Sequence, residues 1–214
     1  MTTMPGYDAA RSTAVVVDRS GEGRLRLTGA DRVSWLQGLV TNDVAALQPG
    51  EGCYAAYLTP QGRMISDLRI LATREALILD VPTVARAAVA SRFEQFIITE
   101  DVVVEDVTAR IARLAVHGPQ SAAVVGKGLD VPVATLQALT EHSHIDVEFE
   151  DAPVIVASCH ALGGTVDVEA GLPLFGVDMD TETIPLEAGL EDSAISLTKG
   201  CYCLLYTSPS PRDS

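Results

Sequence analysis

The chain has 214 residues, of which 47% are hydrophobic and only 5% aromatic, and its formal net charge is −14. That length builds one large domain or two small ones, and the core must rest on Val, Leu, Ile and Ala. The charge excludes a free polyanionic nucleic acid as direct partner, because binding phosphates takes a basic stripe; a small anion in a local pocket stays open. Met1 to Ala10 has neither a basic start nor an apolar run, no Arg-rich presequence follows, and no apolar stretch approaches a membrane span. A cytoplasmic protein without a membrane partner is expected. Cys53, Cys159, Cys201 and Cys203 form no CxxC pair, which fits reduced thiols in that compartment.

Arg24 to Leu27 alternates charge with Leu and predicts a short strand. Gly29 turns the chain, and Asp31 stands where a carboxylate caps a helix whose Val33, Leu36, Leu39 and Val40 share one face. Thr41-Asn42-Asp43 predicts a loop, with Asn42 and Asp43 as loop-forming side chains, and Gln48-Pro49-Gly50 predicts a turn. Cys53 to Leu58 and Met64 to Leu71, joined by Pro60-Gln61-Gly62, predict a β-hairpin. Ala76 to Val81 predicts a further strand. Ala85, Val89, Phe93 and Phe96 then predict a helix from Thr83 to about Ile98.

Two more strands are expected over Asp101 to Val107 and Ile111 to Val116. Gly118-Pro119 is expected to open a helix with Pro in first position. Pro153 to Ala157 predicts a buried strand. Short strands mixed with a few helices, without a regular βαβ rhythm, predict an α+β fold of mostly antiparallel sheets with flanking helices. A boundary near His117 to Gln120 divides the reading into residues 1–117 and a second α+β domain over 118–202.

Residues 203–214 differ in character, packing Ser, Pro and Thr without periodicity. They read as a non-native tail, similar to one reading frame of a sequencing-library adapter. On that reading Cys201-Tyr202-Cys203 is an accident of the join, and no metal site is expected there. His142 and His144 lie two apart, which is no helical metal pair, and a solvated loop is expected for both. His117 and His160 read as structural residues at strand ends, and Gly163-Gly164 as a turn without a phosphate-loop pattern.

Asp67 is the leading candidate for chemistry. It follows the Gly62 turn within a largely apolar strand, and a carboxylate there can accept hydrogen bonds or stabilise positive charge. The plainer alternative is an exposed strand carboxylate paired with Arg63 or Arg69. Period-two alternation puts Ile65, Asp67 and Arg69 on one side, and the hairpin brings Tyr54 onto the paired strand.

Several segments together resemble the YgfZ family, a relative of the glycine-cleavage aminomethyltransferases. They are Arg32-Val-Ser-Trp-Leu-Gln-Gly-Leu-Val-Thr-Asn-Asp43, Tyr57-Leu-Thr-Pro-Gln-Gly-Arg-Met-Ile-Ser-Asp67, Glu169-Ala-Gly-Leu-Pro-Leu-Phe-Gly-Val-Asp178 with Ile184-Pro-Leu-Glu-Ala-Gly189, and Lys199-Gly-Cys-Tyr202. The last is the start of the family's K-G-C-Y-x-G-Q-E signature. Asp167 departs from the pattern, standing where the family has an Arg, and the stretch before Glu169 is short.

The resemblance implies a folate-binding fold like that of the aminomethyltransferases, with the family's C-terminal barrel domain absent. It implies tetrahydrofolate or a derivative as cofactor, contacted by Tyr54, Asp67, Arg69 and Asp80. Asp67 and Cys201 become the candidate catalytic residues, with Lys199 beside the cysteine to favour thiolate. The plain readings are a Tyr54 packed on its sheet, an Asp80 that is merely polar at a strand end, and a small buried Cys201. In function the resemblance implies an accessory protein for iron–sulfur cluster assembly or repair. Iron–sulfur client proteins would be its partners, with indirect effects on tRNA-modifying enzymes. A tetrahydrofolate-dependent one-carbon transferase is the rival, and a folate-sensing module a third reading.

Overall fold

A computed structural model describes residues 6–159 and 175–199. The Cys201 motif, His160, Gly163-Gly164, Asp167, Glu169 and the foreign-looking tail lie outside the described residues. A helix α1 (Tyr7–Ser12) and strand β1 (Val15–Asp18) lead into β2 (Gly23–Thr28) and helix α2 (Arg32–Gln37). The hairpin β3 (Gly52–Leu58) and β4 (Met64–Ala72) is followed by β5 (Leu77–Val81), α3 (Arg86–Gln95), β6 (Val103–Asp106) and β7 (Leu114–His117). Helices α4 (Ser121–Leu129) and α5 (Val133–Gln137) precede a second hairpin, β8 (His144–Phe149) and β9 (Ala152–Ala157), and a short α6 (Glu191–Ala194) comes last.

The main sheet has five strands in the order β3-β4-β5-β2-β6, and each neighbouring pair is antiparallel. Separate antiparallel pairs join β1 to β7 and β8 to β9. The expected α+β fold with mostly antiparallel sheets is therefore what the chain adopts.

Strand alternation gives the main sheet two unlike faces. One carries Leu25, Leu27, Ala55, Tyr57, Leu68, Ile70, Leu77 and Leu79, all buried, against Leu36 of α2 and Val89 and Phe93 of α3. The Phe93 ring meets Trp35 and Tyr57 edge-on, with centroids 5.3 Å and 5.1 Å away, an arrangement the aromatic quadrupoles favour. The Trp35 indole N–H finds the Phe96 carbonyl at 3.1 Å.

The opposite face is mixed. At one end Ala56, Leu58 and Met64 are covered by Met179, Leu190 and Ala194. At the other, Leu71, Ala76 and Ile78 pack with Ala157 of β9. Between these apolar ends lies a polar row.

Several expectations need correcting. Asp31 makes no side-chain cap on α2; its carboxylate instead accepts the Asp101 backbone N–H at 2.8 Å. Helix α3 is shorter than the periodicity suggests, because Phe96 and Ile98 fall outside it and remain exposed. Pro119 does not open α4, which starts at Ser121 after Gln120. The strand at β9 is no buried strand: it pairs only with β8, and its Ile155 is exposed. His144 is not on a solvated loop but buried at the start of β8, with its backbone N–H on the Gly50 carbonyl at 2.8 Å.

Phe93 is fully buried between two aromatic partners. Phe93→Ala is expected to destabilise the fold by about 3–5 kcal/mol, as large-to-small changes in packed cores do, read from the urea midpoint at unchanged slope.

Candidate functional site

The polar row follows from register. Tyr54 of β3 pairs with Arg69 of β4, Arg69 with Asp80 of β5, and Asp80 with Arg24 of β2. All four side chains stand on the mixed face. Asp67, two residues before Arg69 on β4, stands on that face beside them.

Asp67 is 8% exposed, so it is not an exposed strand carboxylate. Nor does Arg63 pair with it; Arg63 reaches Glu182 instead. The Tyr54 hydroxyl donates to Asp67 Oδ2 at 2.5 Å, a length typical of a charge-assisted O–H···O⁻ bond. Asp67 Oδ1 is buried with no hydrogen-bond partner. Burial raises the Asp67 carboxyl above the usual carboxylate range, and the Tyr54 bond and Arg69 only partly offset it. Burial, and then the Asp67 charge, also push the Tyr54 phenol up.

The resulting pair can hold a proton, and the unpartnered oxygen can accept an N–H from a ligand. A buried polar atom left without a partner is costly, and a ligand donor would remove that cost. The unpartnered carboxylate oxygen therefore fits a ligand that presents an N–H or O–H donor.

Asp80 is drawn into ion pairs. Arg24 Nε lies 3.0 Å from one of its oxygens, Arg113 Nη1 3.1 Å from the other, and Arg69 Nη1 farther away at 3.9 Å. Arg113 also pairs with Glu22 at 2.6 Å. His142, expected in a solvated loop, brings its ring over Tyr54 with centroids 6.4 Å apart. Its backbone approaches so closely that a Cβ on Gly52 would sit 2.6 Å from the His142 carbonyl oxygen. Sequence reasoning missed this residue, as well as Arg24 and Arg113, because strand register and a distant loop bring them in.

The Thr41-Asn42-Asp43 loop is a loop-forming element, as expected. Asn42 Nδ2 donates to the Tyr54 carbonyl at 2.8 Å, and Thr41 Oγ1 donates to the Ala194 carbonyl at 2.5 Å. Lys199 Nζ donates to the carbonyls of Gln37, Val40 and Asn42 at 2.7, 2.5 and 2.9 Å. The ammonium has three protons, so these carbonyls can take all of them, and Lys199 fastens the end of the described chain to this loop. Cys53 lies near it, yet burial pushes its thiol up to about 12, which leaves a packing residue rather than a nucleophile.

A hollow lined by Asp146, Val147, Glu148, Asp151 and Pro153 lies on the β8–β9 hairpin and contains none of the polar-row residues. Among the described residues no group of three or more His, Cys, Asp or Glu is placed to hold a metal. No helix there is long and apolar enough to cross a membrane.

The raised Asp67 carboxyl has a consequence for stability. The folded chain holds this proton more tightly than the unfolded chain does. The associated stability is present below the ordinary value of 3.8 and is lost as pH rises through the folded value. Asp67→Asn removes the buried charge. It is expected to raise Tm at neutral pH by a few degrees, about what 1 kcal/mol does in a domain of this size, with the gain shrinking as pH falls toward 4. Calorimetric scans across pH check this; an unchanged or lower Tm at neutral pH would contradict a buried, ionising Asp67.

Comparison with known proteins agrees with this fold. Residues 5–163 match the family model described as the GCVT N-terminal domain. The chain is 27% identical to an aminomethyltransferase of Bacillus subtilis and 29% identical to one of Bacillus velezensis, each across 86% of this chain and 60% of the relative. It thus spans about 60% of the length of these relatives. Among solved structures, the glycine cleavage system aminomethyltransferase T of Bartonella henselae shares the fold, with a TM-score of 0.65 at 18% identity over 86% of this chain and 59% of that one. With three quarters of its length matched by the family model, the chain belongs to the aminomethyltransferase (GcvT-like) superfamily through its GCVT N-terminal domain.

Proposed function

We propose that the chain binds a reduced folate, tetrahydrofolate or a derivative, with Asp67 accepting a hydrogen bond from the ligand and Tyr54 holding the carboxylate in place. The observation that carries this is the Asp67 oxygen, buried and without a partner, on a carboxylate oriented by Tyr54. The chemistry a folate supplies is the carriage of a one-carbon unit on its ring nitrogens. The carboxylate of Asp67 accepts from an N–H of the ligand when neutral chemistry is needed and stabilises positive charge there when it develops. Burial raises its pKa above that of a solvated carboxylate, which makes it a better proton acceptor.

Two activities fit this site. A folate-dependent one-carbon transferase accords with the relatives, which bear the name aminomethyltransferase. A folate-binding accessory protein serving iron–sulfur client proteins in the cytoplasm accords with the Lys199-Gly-Cys-Tyr202 motif, where Cys201 would act as the thiol. The motif is the specific observation favouring the second, with indirect effects on tRNA-modifying enzymes as its outward sign. Residues 1–117 would carry the folate contacts in either case, completed by the segment after residue 118.

Losing one charge-assisted hydrogen bond costs about 1.5–3 kcal/mol, or roughly 10- to 150-fold in affinity. Asp67→Ala is therefore expected to weaken tetrahydrofolate binding by that factor while the fold persists. Isothermal titration with the folded variant reads it, and equal affinity for variant and parent chain would remove Asp67 from the site.

A further inference from the structure

The guanidinium groups on the mixed face outnumber their partners. Arg24, Arg69 and Arg113 converge on the single carboxylate of Asp80. Arg24 is 4% exposed and is held by Asp80 Oδ1 and by the Ile111 carbonyl at 3.1 Å. Arg113 has Glu22 as a second anion at 2.6 Å. Each Asp80 oxygen thus has a close arginine at 3.0 or 3.1 Å without Arg69.

Arg69 is the least satisfied of the three. Its distance of 3.9 Å to Asp80 is that of a loose ion pair, and its Nε is buried with no hydrogen-bond partner. The Cys159 thiol lies against it, but a thiol is a weak acceptor. At the same time the Arg69 side chain is 23% exposed, so an incoming group can reach it. A planar fork that holds its anion only loosely, on a side chain that solvent can reach, suits a carboxylate.

Its position states which carboxylate. Arg69 is two residues from Asp67 on one face of β4, about 7 Å along the strand, and opposite Tyr54 on β3. We infer that Arg69 is the anion-binding arm of the Tyr54–Asp67 site and takes a carboxylate of the same molecule whose N–H meets Asp67. Arg24 and Arg113 act as positioning residues, saturating Asp80 so that Arg69 can leave it. The inference rests on the folate reading for its natural ligand, whose glutamyl carboxylates are the group of the right chemistry. The arm itself is a property of the sheet and can be tested without folate.

Two measurements on the 214-residue chain separate the two ideas. The first uses sodium glutarate alone, against chloride at equal ionic strength, with Tm as readout. The parent chain is expected to be stabilised by glutarate, Arg69→Met not at all, and Arg69→Lys only in part, because an ammonium keeps the charge but not the fork. Should Arg69→Met not fold, Arg69→Lys against the parent reads the same difference.

The second compares tetrahydropteroylglutamate with tetrahydropteroate, which lacks the glutamyl group, by titration calorimetry. Arg69→Met is expected to lose about 10- to 100-fold in affinity for the first and to leave the second unchanged. Glutarate stabilisation that depends on Arg69, with no binding of either pteridine, supports the arm and overturns the folate reading. Binding of both pteridines that is indifferent to Arg69→Met, with no glutarate effect, keeps the folate reading and overturns the arm.

Discussion

The antiparallel sheet with two unlike faces is the constraint on which the rest depends. Because side chains alternate across a strand, sealing Leu68 and Ile70 of β4 into the apolar layer obliges Asp67 and Arg69 to point the other way. The same holds for Tyr54 between Cys53 and Ala55, and for Asp80 between Leu79 and Val81. The charged groups are thus placed by the packing of their neighbours. A slip of one residue in any strand would drive the charges into the core and the apolar residues out, so register and site are secured together.

The mixed face would be a liability if left open, since apolar residues at both ends of the row need cover. The segment around Met179, Leu190 and Ala194 covers one end, and Ala157 of β9 contributes to the other. Side-chain bonds fix the first cover: Thr41 and Asn42 reach the carbonyls of Ala194 and Ser193, and Lys199 gathers the carbonyls of Gln37, Val40 and Asn42. What remains between the covers is a strip where buried polar atoms lack protein partners, Asp67 Oδ1 and Arg69 Nε among them. Keeping these two atoms unpartnered costs stability, and sites that bind ligands are where such costs are found.

The Tyr54–Asp67 pair illustrates how local chemistry is tuned by burial. In water the phenol and the carboxyl would differ widely in proton affinity. Burial raises both, and the hydrogen bond between them lets the carboxylate stay charged without full hydration. Of the neighbouring arginines, Arg24 and Arg113 are tied up around Asp80, while Arg69 contributes positive charge beside Asp67. The carboxylate is therefore neither neutralised by a direct ion pair nor fully solvated, a state in which a ligand proton can be accepted.

Much of this was legible in the chain itself. Period-two alternation around the Pro60-Gln61-Gly62 turn determines a hairpin, and with it the pairing of the Tyr54 strand with the Asp67 strand, because turn chemistry and side-chain period are local properties. The α+β class and the apolar face of α3 follow in the same way, from spacing within a few residues. The sequence could not decide whether Asp67 meets Arg63, Arg69 or Tyr54, since on one strand and its partner all are within reach and only burial selects. Nor could it foresee that Arg24 and Arg113 converge on Asp80, that His142 comes over Tyr54, or that β9 stands exposed beside β8. Those depend on strand order and on contacts between residues far apart in the chain. Such contacts carry no local signature, because they are made by the packing of whole faces and not by the neighbours of any one residue.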